Sequence, residues 1–450
     1  MDQELKPFEQ YQDVSIPWLD KLPSHWQIKR AKAMFYKANR PVRDFDEVVT
    51  CFRDGTVTLR KNRRTTGFTE SIKEIGYQGI RKGDLVIHVM DAFAGAIGVS
   101  DSDGKATPVY SVCVPKENLN NYYYAYIVRE MAKSGFIQSL YRGIRERSSD
   151  FRFEVFANQN LPIPPLEEQD KIVKYLDYQI TKINKFIKAK KKLIAILKEQ
   201  KQAVITEAVT VGLNRNVKLR HSKITWIEGI PEHWEERTLK RLTCEKMTDG
   251  PHETPNFIET GIPFVSVEAV YNGKINLESK RGYISEEDHV KYCKKLKPQK
   301  NDIFIVKSGS TTGKSCIVDI DEEFSVWSPL ALVRCNKEND PHFLFNAINA
   351  TYFQLQVQDK WSFGTQPNIG MGILQNLLIA VPPLSEQQAI TKYIQNEAES
   401  IDRGITKVER EITLITEYRN SLISNVVTGK VDVRDIKINA VLEEMDIDDV

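Results

Sequence analysis

Apolar residues recur with spacings of four and three along a stretch from Leu166 to about Thr210 that holds neither glycine nor proline. They are Leu176, Ile180, Ile183, Ile187, then Ile194, Leu197, Val204 and Ala208. That period keeps one narrow stripe on one helix face, which predicts a coiled-coil seam. The stripe returns at Ile394, Ala398, Ile401, Ile405, Val408, Ile412, Ile415, Leu422 and Val426, each 218 residues on, as Ile394 follows Leu176. At ~1.5 Å rise per residue, a helix of about 43 residues reaches roughly 65 Å. Two such helices bury their stripes most simply against each other, and a chain running helix, globular unit, helix favours an antiparallel pair. Lys201 and its counterpart Arg419 break the apolar rule, as does Lys190, which aligns with Val408. Snorkelling at the seam edge is the plainer reading, a dedicated polar contact the alternative.

The boundaries repeat as well. Leu161-Pro162-Ile163-Pro164-Pro165-Leu166-Glu167-Glu168-Gln169 returns as Ile379-Ala380-Val381-Pro382-Pro383-Leu384-Ser385-Glu386-Gln387. The proline pair cannot sit inside a helix, and the acids fall in the first turn, where the helix dipole favours them. Thr210-Val211-Gly212 and Thr428-Gly429 supply stops, since glycine takes the left-handed C-cap conformation. Upstream, Trp18-Leu19-Asp20-Lys21-Leu22-Pro23-Ser24-His25-Trp26 is answered by Trp226-Ile227-Glu228-Gly229-Ile230-Pro231-Glu232-His233-Trp234, now 208 residues on. The chain is therefore two copies of one design, and the second gained ten residues early.

Between these landmarks lie two globular stretches, from about Ser15 to Asn160 and from about Ile224 to Leu378. Lys82-Gly83-Asp84-Leu85-Val86-Ile87 and Lys300-Asn301-Asp302-Ile303-Phe304-Ile305 each read as a turn feeding a buried strand. Glycine-bearing turns follow, then a second strand and a short helix, Tyr122 to Ser134 and His342 to Thr351. The expected class is α+β: two mixed, β-rich units joined by two long helices in an antiparallel coiled coil, with a pseudo-two-fold internal repeat. The segments are residues 1–160, a first helix at 161–212, a linker and second unit at 213–378, a second helix at 379–430, and an acidic tail at 431–450 that is expected to be disordered.

An apolar content of 41% with 28% charged residues and a mean hydropathy of −0.40 describes a soluble protein. The most apolar stretch, Leu85 to Val99, is too short to span a bilayer. Six scattered cysteines form no C-x-x-C pair, which argues against zinc and disulfides and makes a reducing cytoplasm the simplest setting. The net charge of +2 hides local basic clusters at 60–64, 142–147, 188–192 and 215–223. Such clusters are commonly solvated faces and need support from architecture.

Catalytic readings fail on inspection. Ser308 to Ser315 resembles a phosphate-binding loop, but the position five before Gly313 is Ser308, not glycine, so a tight turn is expected. Ile163-Pro164-Pro165-Leu166 and Val381-Pro382-Pro383-Leu384 lack the Asn/Asp and aromatic flanks of an adenine methyltransferase motif. For His25 and His233, packing beneath the adjacent tryptophan is preferred to metal binding, and no metal site is expected. No nucleophile, base and oxyanion site assembles. Recognition remains. Candidate DNA contacts are Lys61, Asn62, Arg63, Arg64, Arg142, Arg145 and Arg147 in the first unit, and His252, Lys307, Lys314, Lys360, Gln366 and Asn368 in the second.

Taken with the segment Thr248-Asp249-Gly250-Pro251-His252-Glu253-Thr254-Pro255, the paired openings and the repeated Pro-Pro-Leu-x-Glu-Gln before a long helix resemble the specificity subunit of type I restriction–modification systems. The resemblance covers nearly the whole chain. It implies two target recognition domains, each reading half of a split double-stranded DNA site, and no chemistry in this chain. It further implies helices that dock two methyltransferase subunits and a complex that recruits motor-nuclease subunits. S-adenosylmethionine, ATP and magnesium then belong to the partners, with no membrane involved. The rival classes are a stand-alone methyltransferase or nuclease, and a coiled-coil scaffold that does not bind DNA.

Overall fold

A computed structural model describes residues 5–63, 75–140, 150–363 and 366–437. The acidic residues Glu443 to Asp449 lie outside them. Packing divides the chain into two compact units, Met1–Ala189 with Glu411–Val450, and Lys190–Arg410. This differs from the five sequence segments, because each long helix is shared between the units. The helices that matter are α1 (Asn121–Lys133), α2 (Leu166–Thr210), α3 (Pro341–Asn349) and α4 (Leu384–Val427).

In the first unit an antiparallel sheet runs in the order Phe35–Lys37, Tyr110–Pro115, Leu85–His88, Ile97–Val99. In the second, a six-stranded sheet contains the corresponding meander, Leu330–Val333, Ile303–Val306, Ser315–Ile317, and adds Thr248–Asp249 beside Leu330–Val333. The central strands are buried on both faces, which explains their unbroken apolar runs. The turns feeding them share one device. Gly83 and Asn301 take positive φ (91° and 69°). The following aspartates are buried and accept a backbone N–H at 2.7 Å, from Arg81 to Asp84 and from Gln299 to Asp302. Each aspartate also faces an arginine, Arg40 for Asp84 and Arg334 for Asp302. Burial pushes the Asp302 carboxyl up, and Arg334 only partly offsets it.

The two repeated motifs meet. In the first unit Glu168, in the opening turn of α2, accepts from Trp26 Nε1 at 2.8 Å and lies 2.7 Å from His25 Nε2. In the second, Glu386 of α4 accepts from Trp234 Nε1 at 3.2 Å with His233 Nε2 at 2.9 Å. The histidines are therefore hydrogen-bonded to the helix acids, and the His25 ring also meets the Trp26 indole edge-on with centroids 6.5 Å apart. The next residue ties in the short helix. Gln169 accepts from the backbone N–H of Asn120, the N-cap of α1, and Gln387 from that of Asp340, the N-cap of α3. The stop glycines close each unit. Gly212 (φ +80°) sits 3.1 Å from Trp234, and Gly429 (φ +72°) 3.0 Å from Trp26, measured from where a Cβ would stand. A backbone bridge joins Lys6 to Asp432 beside the latter.

Along the seam, Leu176, Ile183, Ile394, Ile401, Ile405 and Val408 are buried, and Ile180, Ile187, Ile194, Leu197, Ile412 and Ile415 half-buried. In the first unit Leu176, Ile180, Ile183 and Ile187 share a core with Ile415, Leu422 and Val426. In the second, Leu197 faces Gly404, and Ala208 and Val209 pack with Ile390 and Ile394. The basic seam positions make directed contacts rather than snorkel. Lys201 Nζ donates to Asp402 at 2.7 Å, and Arg419 Nη1 to Asn184 Oδ1 at 2.8 Å.

Candidate nucleic-acid interface

In the second unit the turn 307–314 is a hairpin loop between Ile303–Val306 and Ser315–Ile317, with Gly309 and Gly313 at positive φ. It is pinned to the segment 366–369: Gly309 N donates to Pro367 O at 3.0 Å, Ile369 N to Lys307 O at 2.8 Å, and Thr312 Oγ1 to Pro367 O at 3.0 Å. This brings Lys307, Gln366 and Asn368 to one end of the sheet, with Gln366 and Asn368 exposed.

Next to them Asp249 anchors a cluster of cations. It accepts from Lys307 Nζ and from Lys295 Nζ (2.7 Å), and His252 Nε2 lies at 3.3 Å. Burial would raise the Asp249 carboxyl, but the two lysines outweigh it and hold it below its ordinary value. Gly250 is obligatory here, since a Cβ would stand 2.1 Å from Val326 O. The Lys307 side chain is only 13% exposed and is spent on Asp249, so it shapes the site instead of presenting a free charge. His252 is 73% exposed. Lys314 is exposed at the far end of the turn, and Lys360 stands apart, 3.8 Å from Asp359.

In the first unit Lys61 and Asn62 occupy a 3-10 turn after the strand Val57–Leu59. Lys61 pairs with Glu47, Asn62 donates to Thr58 Oγ1, and Arg63 pairs with Asp54 at 2.7 Å while lying over the Phe52 ring. Burial would raise Asp54, but hydrogen bonds from Arg63 and the Thr56 backbone hold it to about 2. Arg64, Arg142, Arg145 and Arg147 lie outside the described residues. Sequence reading missed Asp249, Lys295 and Arg53, the last paired with Asp91 at 2.9 Å. The run Thr248-Asp249-Gly250 carried a signal for the first of these, since an acid before an obligatory glycine marks a shaped loop.

Among the described residues no group of side chains is arranged to hold a metal ion, and no helix is long and apolar enough to cross a membrane. In the second unit, exposed amides and cations thus gather at one end of a sheet. The sequence matches the type I restriction modification DNA specificity domain over residues 56–195 and again over 231–412, and the chain belongs to that family. It is 27% identical over 314 residues to the type I restriction enzyme MjaVIII specificity subunit of Methanocaldococcus jannaschii, covering 68% of this chain and 69% of that one. To the EcoBI specificity subunit of Escherichia coli it is 26% identical, covering 57% of this chain and 56% of that one. A solved chain of a type I R-M system, 17% identical, shares the fold with a TM-score of 0.65 over 91% of this chain and 99% of its own.

Proposed function

We propose that this chain is the non-catalytic subunit that reads a split double-stranded DNA site for a type I restriction–modification enzyme, each β-rich unit reading one half. The observation that carries this is the doubled family match, each copy ending inside a long helix, at 195 and at 412. The seam residues of α2 and α4 form an antiparallel coiled coil that spaces the readers. Half-sites read from one face of B-DNA then lie about one helical turn apart, roughly 34 Å. Apolar side chains off the seam, Phe186, Leu193, Ile196, Leu414 and Tyr418, are exposed and supply a surface for two methyltransferase subunits. Those subunits bring S-adenosylmethionine, and motor-nuclease subunits bring ATP and magnesium, in the cytoplasm.

The test is a map of methylated bases in cells with and without the gene. A split motif that vanishes on deletion is expected. Exchange of residues 15–160 for another such unit alters one half only, and a change in both halves would overturn the reading. Methyl transfer by the purified chain alone would make it an enzyme in its own right.

A further inference from the structure

The first unit contains an arginine that its own side chains leave unsatisfied. Arg129 follows Val128 on the apolar helix α1, four residues after the buried Ala125. Its guanidinium makes no hydrogen bond or ion pair among the described residues. It lies against the turn at Gly55 (φ +91°), where a Cβ would stand 2.3 Å from Nη1, so glycine at 55 makes room for it. Burial pushes the Arg129 pKa down and Arg419 adds to this, against the pull of Tyr126 and Asp54. Asp54 is itself engaged with Arg63.

Arg129 faces a cavity of about 290 Å³ whose rim carries Arg53 and Lys133 and whose wall includes Phe93 and Ile423. The other charges there are matched. Arg53 pairs with Asp91, Lys133 donates to Asn420 O at 2.9 Å, and Glu130 accepts from Ser424 Oγ at 2.6 Å. Among the residues lining the cavity Arg129 is left without a carboxylate partner, and a half-buried cation without one is costly. The missing anion therefore carries a single charge and accepts several N–H bonds from a planar fork. A phosphodiester fits both requirements. The turn that holds Arg129 also carries Arg63 over Phe52, beside Lys61 and Asn62.

We propose that the Arg129 cavity seats one phosphodiester of the DNA backbone, with Arg53 and Lys133 at its flanks, so that these residues position the first unit on the duplex without reading bases. This rests on the DNA-reading function above. The experiment measures binding of the assembled complex to its own motif and to a duplex with both half-sites scrambled, between 50 and 200 mM salt. Arg129→Met is expected to weaken both by the same factor, roughly 10-fold, and to reduce the slope of log affinity against log salt by about 1. The methylated motif stays the same. Should the Arg129→Met chain fail to fold, Arg53→Gln and Lys133→Gln on the rim are expected to lower the same slope. An unchanged slope in folded variants overturns the proposal, as does a loss confined to one sequence. So does weakened assembly with methyltransferase subunits at an unchanged slope, which would assign the cavity to a partner's carboxylate. A wild-type complex without sequence preference would instead defeat the DNA-reading function itself.

Discussion

Lys201 on α2 reaches Asp402 on α4 at 2.7 Å, and the residues 218 positions away in each direction, Arg419 and Asn184, make the equivalent contact at 2.8 Å. One polar contact is thus used twice, once in each unit, with donor and acceptor exchanged between the helices. Polar contacts of this kind fix the axial alignment of paired helices, which apolar contacts alone leave free to slide.

Both side chains of the Lys201–Asp402 pair are substantially solvated, so the stability at stake is small. A double-mutant cycle with Lys201→Ala and Asp402→Ala is expected to give a coupling of about 0.2–1 kcal/mol. A seven-residue deletion from α2 together with its partner heptad in α4 is a stronger perturbation. It should shorten the spacer of the methylated motif and leave both half-sequences intact, and unchanged spacing would exclude the helices as the ruler.

Glu168→Ala removes the carboxylate that accepts from the buried Trp26 indole N–H and is expected to cost about 1–3 kcal/mol in chemical denaturation. Glu386→Ala should cost less, because its bond to Trp234 is longer and Glu386 is more exposed than Glu168. Glu168→Gln keeps an acceptor oxygen and should recover part of the loss. Equal losses at the two sites would contradict this.

Asp54 has a folded-state pKa of about 2, below its ordinary 3.8. A depressed carboxylate contributes stability that is complete above the unfolded value and lost as pH falls through the folded one. The stability gap between wild type and Arg63→Gln should therefore be constant above about pH 5 and close between pH 4 and 2. A gap that persists at pH 2 would show that Arg63 acts through its stacking on Phe52 instead.

Asp249→Asn strands Lys307, which is nearly buried, and loosens Lys295. Breaking such a pair costs roughly 3 kcal/mol or more when one partner stays charged. In the assembled complex the fidelity of one half of the methylated motif should fall while the other half is unaffected. Equal degradation of both halves would make the effect one of general stability.

Both long helices and the buried strands were legible because each is written in periodicity: a four-three stripe between proline and glycine, and apolar runs behind Gly83 and Asn301. Contacts between distant motifs were not. Glu168 read as a dipole-matched acid, and nothing local to it announces an indole 142 residues earlier; only the joint repetition of Pro-x-His-Trp and Pro-Pro-Leu-x-Glu-Gln hinted at the pairing. Lys307 read as a free cation because a sequence does not reveal which acid lies across a sheet, and Asp249 is two strands away. The exposed amides Gln366 and Asn368 were legible only as residue types suited to base edges. Arg129 carries no local signal, since it lies within a largely apolar helix.

Lys6 and Asp432 bridge beside Trp26, so the first unit is stitched from two segments far apart in sequence, whereas the second runs continuously through the stretch from Gly212 to Leu219. Backbone pairing closes the first unit where covalent continuity closes the second. A gene permuted to begin near residue 214, with residue 437 spliced to residue 5 by a short linker, should therefore yield the same pair of units and leave its half-sites unaltered.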